Sequence, residues 1–128
     1  MRPTIYLVVG LLGLGMLNAS AQEAVPPKTG QSSFGPVLTD SHGMTLYTFT
    51  RDMPGYSNCN AQCAVSWPPL LASSDAHASG DWSIISRDDG QMQWAHKDKP
   101  LYSWSKDSKP GDVTGEGVSN GKWHVAKP

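Results

Sequence analysis

The sequence is poor in the features that usually announce a chemistry. Charged residues make up only 16% of its 128 positions. With Arg2 set aside as part of an export signal, nine Lys and Arg face eleven Asp and Glu. That balance leaves no electrostatic footprint for nucleic acid or an anionic membrane surface. There is no His-Glu-x-x-His, so a zincin-type metal hydrolase is not written here. There is no Cys-x-x-Cys-His, which disfavours covalent haem. Cysteine occurs only at Cys59 and Cys63. Aliphatic residues are sparse after the first segment, but Trp67, Trp82, Trp94, Trp104 and Trp123 all lie in that later part. Buried aromatics remove large areas from water, so a tryptophan-based core can compensate.

Residues 1–21 read as a signal peptide. Arg2 is the positive start, Ile5 to Leu17 the apolar run, and Ala19-Ser20-Ala21 the cleavage site. The run is short for a bilayer span. The mature chain is therefore expected to start at Gln22, to carry no membrane span and to be periplasmic or secreted. Residues 22–33, with two prolines and no periodicity, read as a flexible or extended leader. Export places Cys59 and Cys63 in an oxidising compartment, where thiols pair. A bridge across three intervening residues pins one loop, and its entropic gain falls below the usual ~2–4 kcal/mol.

Residues 34–128 carry a duplication. Leu46-Tyr47-Thr48-Phe49-Thr50-Arg51-Asp52 returns as Leu101-Tyr102-Ser103-Trp104-Ser105-Lys106-Asp107, 55 residues later. Trp67-Pro68-Pro69-Leu70 lines up loosely with Trp123-His124-Val125-Ala126. One copy is expected over about 34–71 and the other over about 82–128. Strands are expected at 37–39, 45–49, 82–85, 92–95 and 101–104, separated by turns such as Asp40-Ser41-His42-Gly43 and Arg87-Asp88-Asp89-Gly90. Asn60 to Val65 reads as one short helix. Asn120-Gly121 is a two-residue hairpin signal. The expected fold is mainly β, with antiparallel sheets, internal pseudo-duplication and that one helix.

Within each repeated strand the tyrosine and the aromatic two residues on share a face. Tyr47, Phe49 and Asp52, with Tyr102, Trp104 and Asp107, are therefore candidate motif residues, structural or binding. As structure they are aromatic anchors and turn-capping aspartates. These residues resemble a family of bacterial exported proteins described as secreted repeats, or lipoproteins with a Yx(F/W/Y)xxD motif. The resemblance also rests on Leu38 to Phe49, Cys59 to Leu70, Arg87 to Trp94 and Pro100 to Trp104. It implies an exported protein and no catalytic residues. The chain lacks the lipobox cysteine of many relatives.

Two functional classes remain. The first is a non-enzymatic binding or accessory protein for a small molecule or an exported protein partner, since aromatics on a β platform suit such ligands. The second is a copper- or haem-linked redox accessory. His42, Met44, Met53, Cys59 and Cys63 fall within 22 residues, and thiolate, thioether and imidazole suit Cu(I). The candidate metal ligands are His42, Met44, Cys59 and Cys63. Calcium at Asp107, Asp112 and Glu116 is disfavoured because the spacing departs from the EF-hand.

Overall fold

The computed structural model describes residues 22–128, so the signal-peptide reading of residues 1–21 lies outside the described residues. The chain runs β1 (Gln22–Glu23), β2 (Lys28–Ser32), β3 (Gly35–Thr39), β4 (Tyr47–Phe49), α1 (Gln62–Ser66), β5 (Leu71–Ala72), β6 (Trp82–Ser86), β7 (Met92–His96), β8 (Lys99–Pro100), α2 (Val118–Gly121) and β9 (Trp123–Val125). Strands β1-β5-β7-β6 form one sheet, with β8 also on β7. Pairs β2–β3 and β4–β9 complete the architecture. Every pairing is antiparallel except β1 with β5. The mainly β, antiparallel fold expected from the sequence is present.

The two copies exchange their last strands. In one lobe Leu38 N–H donates to Ala126 O (2.9 Å), Ala126 N–H to Leu46 O (2.8 Å) and Leu46 N–H to Leu38 O (2.9 Å). In the other, Trp94 N–H donates to Leu70 O (2.9 Å), Leu70 N–H to Leu101 O (2.9 Å) and Leu101 N–H to Trp94 O (3.0 Å). The same three-way ring of bonds occurs twice. Each ring is closed by a residue from the other copy, Ala126 for the first and Leu70 for the second. A pseudo-two-fold axis passes between Tyr47 and Tyr102, which exchange both backbone bonds at 2.7 and 3.0 Å. Neither copy satisfies its backbone alone, so the duplication folds as one unit.

Three expectations need correction. Residues 22–33 are not a loose leader, because β2 pairs with β3 and β1 with β5. Trp94 Nε1 donates to Glu23 O (3.0 Å), and the Glu23 carboxylate accepts from Ser41 N–H (3.1 Å) and Ser41 Oγ (2.8 Å). Residues 101–104 form no continuous strand, because Leu101, Tyr102 and Ser103 bond to Trp94, Tyr47 and Pro68 in turn. Asn120-Gly121 makes no hairpin. Ser119 and Asn120 are both left-handed (φ 59° each), and β9 pairs with distant β4 instead. Local turn chemistry gave way to long-range pairing that buries Trp123.

Candidate functional site

The repeated motif builds the centre of the molecule by crossing between copies. Tyr47 OH donates to Asp107 Oδ2 at 2.6 Å, and Tyr102 OH donates to Asp52 Oδ2 at 2.7 Å. Each motif tyrosine thus finds its carboxylate in the opposite copy. Each aspartate also caps a loop. Asp52 Oδ1 accepts from Asn58 N–H (2.7 Å), and Asp107 Oδ1 from Thr114 N–H (3.0 Å) and Oγ1 (2.6 Å). Tyr47 and Tyr102 are fully buried, and the cross-copy bond joins each to an aspartate that also holds loop backbone.

The motif aromatics extend this symmetry. Phe49 stacks on Trp123 (centroids 4.3 Å, 11°), Trp123 on Trp67 (3.8 Å, 2°) and Trp67 on Trp104 (3.9 Å, 26°). Tyr47 meets Trp67 edge-on at 5.3 Å, and Tyr102 meets Trp123 edge-on at 5.1 Å. The column has a buried middle and half-buried ends, Phe49 and Trp104. Such contacts stabilise beyond their area by about 0.5–1.5 kcal/mol each.

Burial, then the bond to Asp107, pushes the Tyr47 phenol well above the usual range. Burial does the same for Tyr102, opposed by the Ser57 bond and reinforced by the Asp52 charge. Burial also raises the Asp52 carboxyl, against the pull of Asn58, Tyr102 and Arg87. Raised phenol pKa values mean that the stability these tyrosines contribute is complete below about pH 10 and is lost as pH rises above it. Alkaline titration of tyrosinate absorbance should show Tyr47 and Tyr102 ionising only together with loss of tertiary structure. Their titration in a still-folded protein would contradict the burial.

Sequence reading missed Arg87, placing it only in a turn. It is buried at 4% exposure. Its Nη1 donates to Gln93 Oε1 (2.8 Å) and Ser57 Oγ (3.0 Å), and its Nη2 to Cys59 O (2.7 Å). Ser57 Oγ lies 2.6 Å from Tyr102 OH. Arg87 therefore ties the disulfide loop to the Tyr102–Asp52 pair. Nothing in the local pattern marks it, because two of its partners, Ser57 and Cys59, come from a loop 30 and 28 residues away.

The proposed metal ligands are scattered in role. Cys59 and Cys63 form a disulfide. His42 sits in an exposed turn and Met44 is half-buried beside it. Among the described residues no three His, Cys, Asp or Glu side chains converge as a metal cluster. Asp112 caps Ser108 and Lys109, and Glu116 accepts from Val125 N–H (2.8 Å) and lies 2.6 Å from His124 Nδ1.

Gly117-Val118-Ser119-Asn120-Gly121 has the Gly-x-Ser-x-Gly spelling of a nucleophile elbow, which sequence reading overlooked. The elbow is a strand-to-helix turn. Here Ser119 (φ 59°, ψ 49°) and Asn120 (φ 59°, ψ 42°) are successive left-handed residues in a loop that follows no strand. The oriented His124–Glu116 pair lies nearby, but no hydrogen bond joins it to Ser119 Oγ.

An open cleft of about 560 Å³ lies between β4, the β7–β8 turn and the segment after β9. Phe49, Lys97, Lys99, His124 and Lys127 line it, with Asp52 and Asp98. His96, also at the cleft, is pulled down by burial and then by the Lys97 charge. The family described as a secreted repeat of unknown function matches residues 28–71 and 83–127, well over half the chain. No curated protein and no solved structure matches it. No helix among the described residues is long and apolar enough to cross a membrane.

Proposed function

We propose, from the premise that the chain belongs to the secreted-repeat family of unknown function, that it is an exported, non-enzymatic binding or accessory protein whose ligand site is the cleft. One observation carries this reading. The motif residues Tyr47, Asp52, Tyr102 and Asp107 are engaged with one another, while the cleft beside them stays open. A volume of about 560 Å³ lies within the range of small-molecule sites.

The test is native mass spectrometry of protein purified after export without chelators, followed by a small-molecule screen with hydrogen exchange. The expected result is a saturable one-to-one adduct that protects residues 48–54 and 96–101. An ester probe hydrolysed by the protein, with activity lost in Ser119→Ala or His124→Gln, would make the non-enzymatic reading wrong. A stoichiometric copper or haem adduct lost in His42→Ala or Met44→Ala would put the redox-accessory reading first.

A further inference from the structure

We infer that the cleft takes a small planar organic anion, an inference that rests on the cleft being the binding site. The pseudo-two-fold supplies an internal control. What the fold itself needs occurs twice, as the two bond rings and the two Tyr–Asp pairs do. The surroundings of the two column ends differ. Lys106 Nζ lies 5.9 Å from the Trp104 ring centroid, so that end is covered by its own copy's cation. The other end, Phe49, lines the cleft.

The charge around Phe49 is also not repeated. Three of the seven lysines in the chain, Lys97, Lys99 and Lys127, line this cleft although the chain is net negative. The repeat places Met44 opposite Lys99 and Leu71 opposite Lys127. Asp52, Asp98 and the chain-terminal Pro128 bring carboxylates to the lining, and Asp52 already accepts from Tyr102 and Asn58. Lys127 is itself committed to Phe34 O, which leaves Lys97 and Lys99, exposed at the rim, to meet an anion.

The backbone that carries Lys97 is fixed. Lys97 and Asp98 form the β7–β8 turn with φ of 49° and 66°. Two-residue turns of this kind normally use Asn-Gly, because a Cβ disfavours left-handed backbone. The turn is pinned from both sides, by Lys97 N–H to Asp81 O (2.8 Å) and Gly55 N–H to Asp98 O (2.8 Å). Lys127 Nζ donates to Phe34 O. Lysines carried on a pinned turn beside the end of an aromatic column suit a flat ring bearing a carboxylate or sulfonate. The ring adds to the stack and the acid group meets the ammoniums.

The test is amide NMR of the ¹⁵N-labelled protein titrated with 2-naphthoate, neutral 2-naphthamide and cationic 2-naphthylmethylammonium. Naphthoate is expected to shift Phe49, Lys97, Lys99 and Lys127 saturably, at least roughly tenfold tighter than the amide, a margin set by one or two charge-assisted contacts. Lys97→Asn with Lys99→Gln should weaken it by a similar factor without changing the spectrum elsewhere, since Asn tolerates left-handed backbone. Should that variant fold poorly, the single Lys99→Gln, on an exposed side chain, reads the same effect. Equal affinity for neutral and anionic probes, or tighter binding of the cation, at these amides overturns the anion assignment and leaves the binding site standing. No shift at these amides with any of the three probes removes the cleft from both readings.

Discussion

Trp67→Ala is expected to be the most damaging single change, costing about 3–5 kcal/mol, the range for large aromatics deleted from a core. Trp67 is 4% exposed and contacted on both faces, by Trp123 at 3.8 Å and Trp104 at 3.9 Å. Tyr47 closes its edge at 5.3 Å. Removing the indole breaks the column in its middle and leaves a void between the copies. For a domain this size the loss corresponds to a fall in midpoint of roughly 15 °C or more. Trp104→Ala, at a half-buried end, should cost clearly less. Thermal or urea unfolding of both variants checks the order. A Trp67 effect below about 1 kcal/mol, the size of an ordinary surface change, would mean that the column is not the core.

Gly115→Ala should follow closely. A Cβ there would lie 2.8 Å from Trp67 Cη2 and 2.9 Å from Tyr47 Cε2 and Cζ. Both neighbours are rigid rings fixed by the stack, so neither can yield cheaply. Moving Tyr47 also disturbs Gly115 N–H to Tyr47 OH (3.2 Å) and the bond to Asp107. Overpacking of this kind costs about 3 kcal/mol at the upper end of its usual range. Gly117→Ala makes the contrast. Nothing lies within 4 Å of its Cβ, and only its left-handed φ of +79° penalises the substitution, by about 1–2 kcal/mol. Urea midpoints should therefore rank Gly115→Ala below Gly117→Ala. The reverse order would show that the two rings move aside.

Much of this was legible in the chain. The 55-residue offset exposed the duplication, and Tyr-x-aromatic-x-x-Asp marked the residues that build its centre. The turns at Asp40–Gly43 and Arg87–Gly90 form where Asp and Gly predict them, with Gly43 N–H to Asp40 O at 3.0 Å and Gly90 N–H to Arg87 O at 2.9 Å. These features depend on neighbours in sequence. What escaped depends on distant ones. The leader is ordered by Glu23 meeting Ser41 and Trp94. Asn120-Gly121 kept its left-handed preference but lost its hairpin to β4. The partner of each motif tyrosine was hidden because a repeat reads the same whether its contacts stay within a copy or cross between copies. Arg87 and the cleft lysines were hidden for a related reason, since only the fold brings their loops together.

The central claim is that the motif works across the copies, and two double-mutant cycles on unfolding free energy test it most directly. One combines Tyr102→Phe with Asp52→Asn, the cross-copy pair at 2.7 Å. The other combines Tyr47→Phe with Asp52→Asn, the pair within one copy of the motif. The account predicts a coupling of about 1.5–3 kcal/mol for the first, a hydrogen bond to a charged group, and less than about 0.5 kcal/mol for the second, the limit for sites that add independently. Strong coupling within the copy and none across it would contradict the interlocked fold.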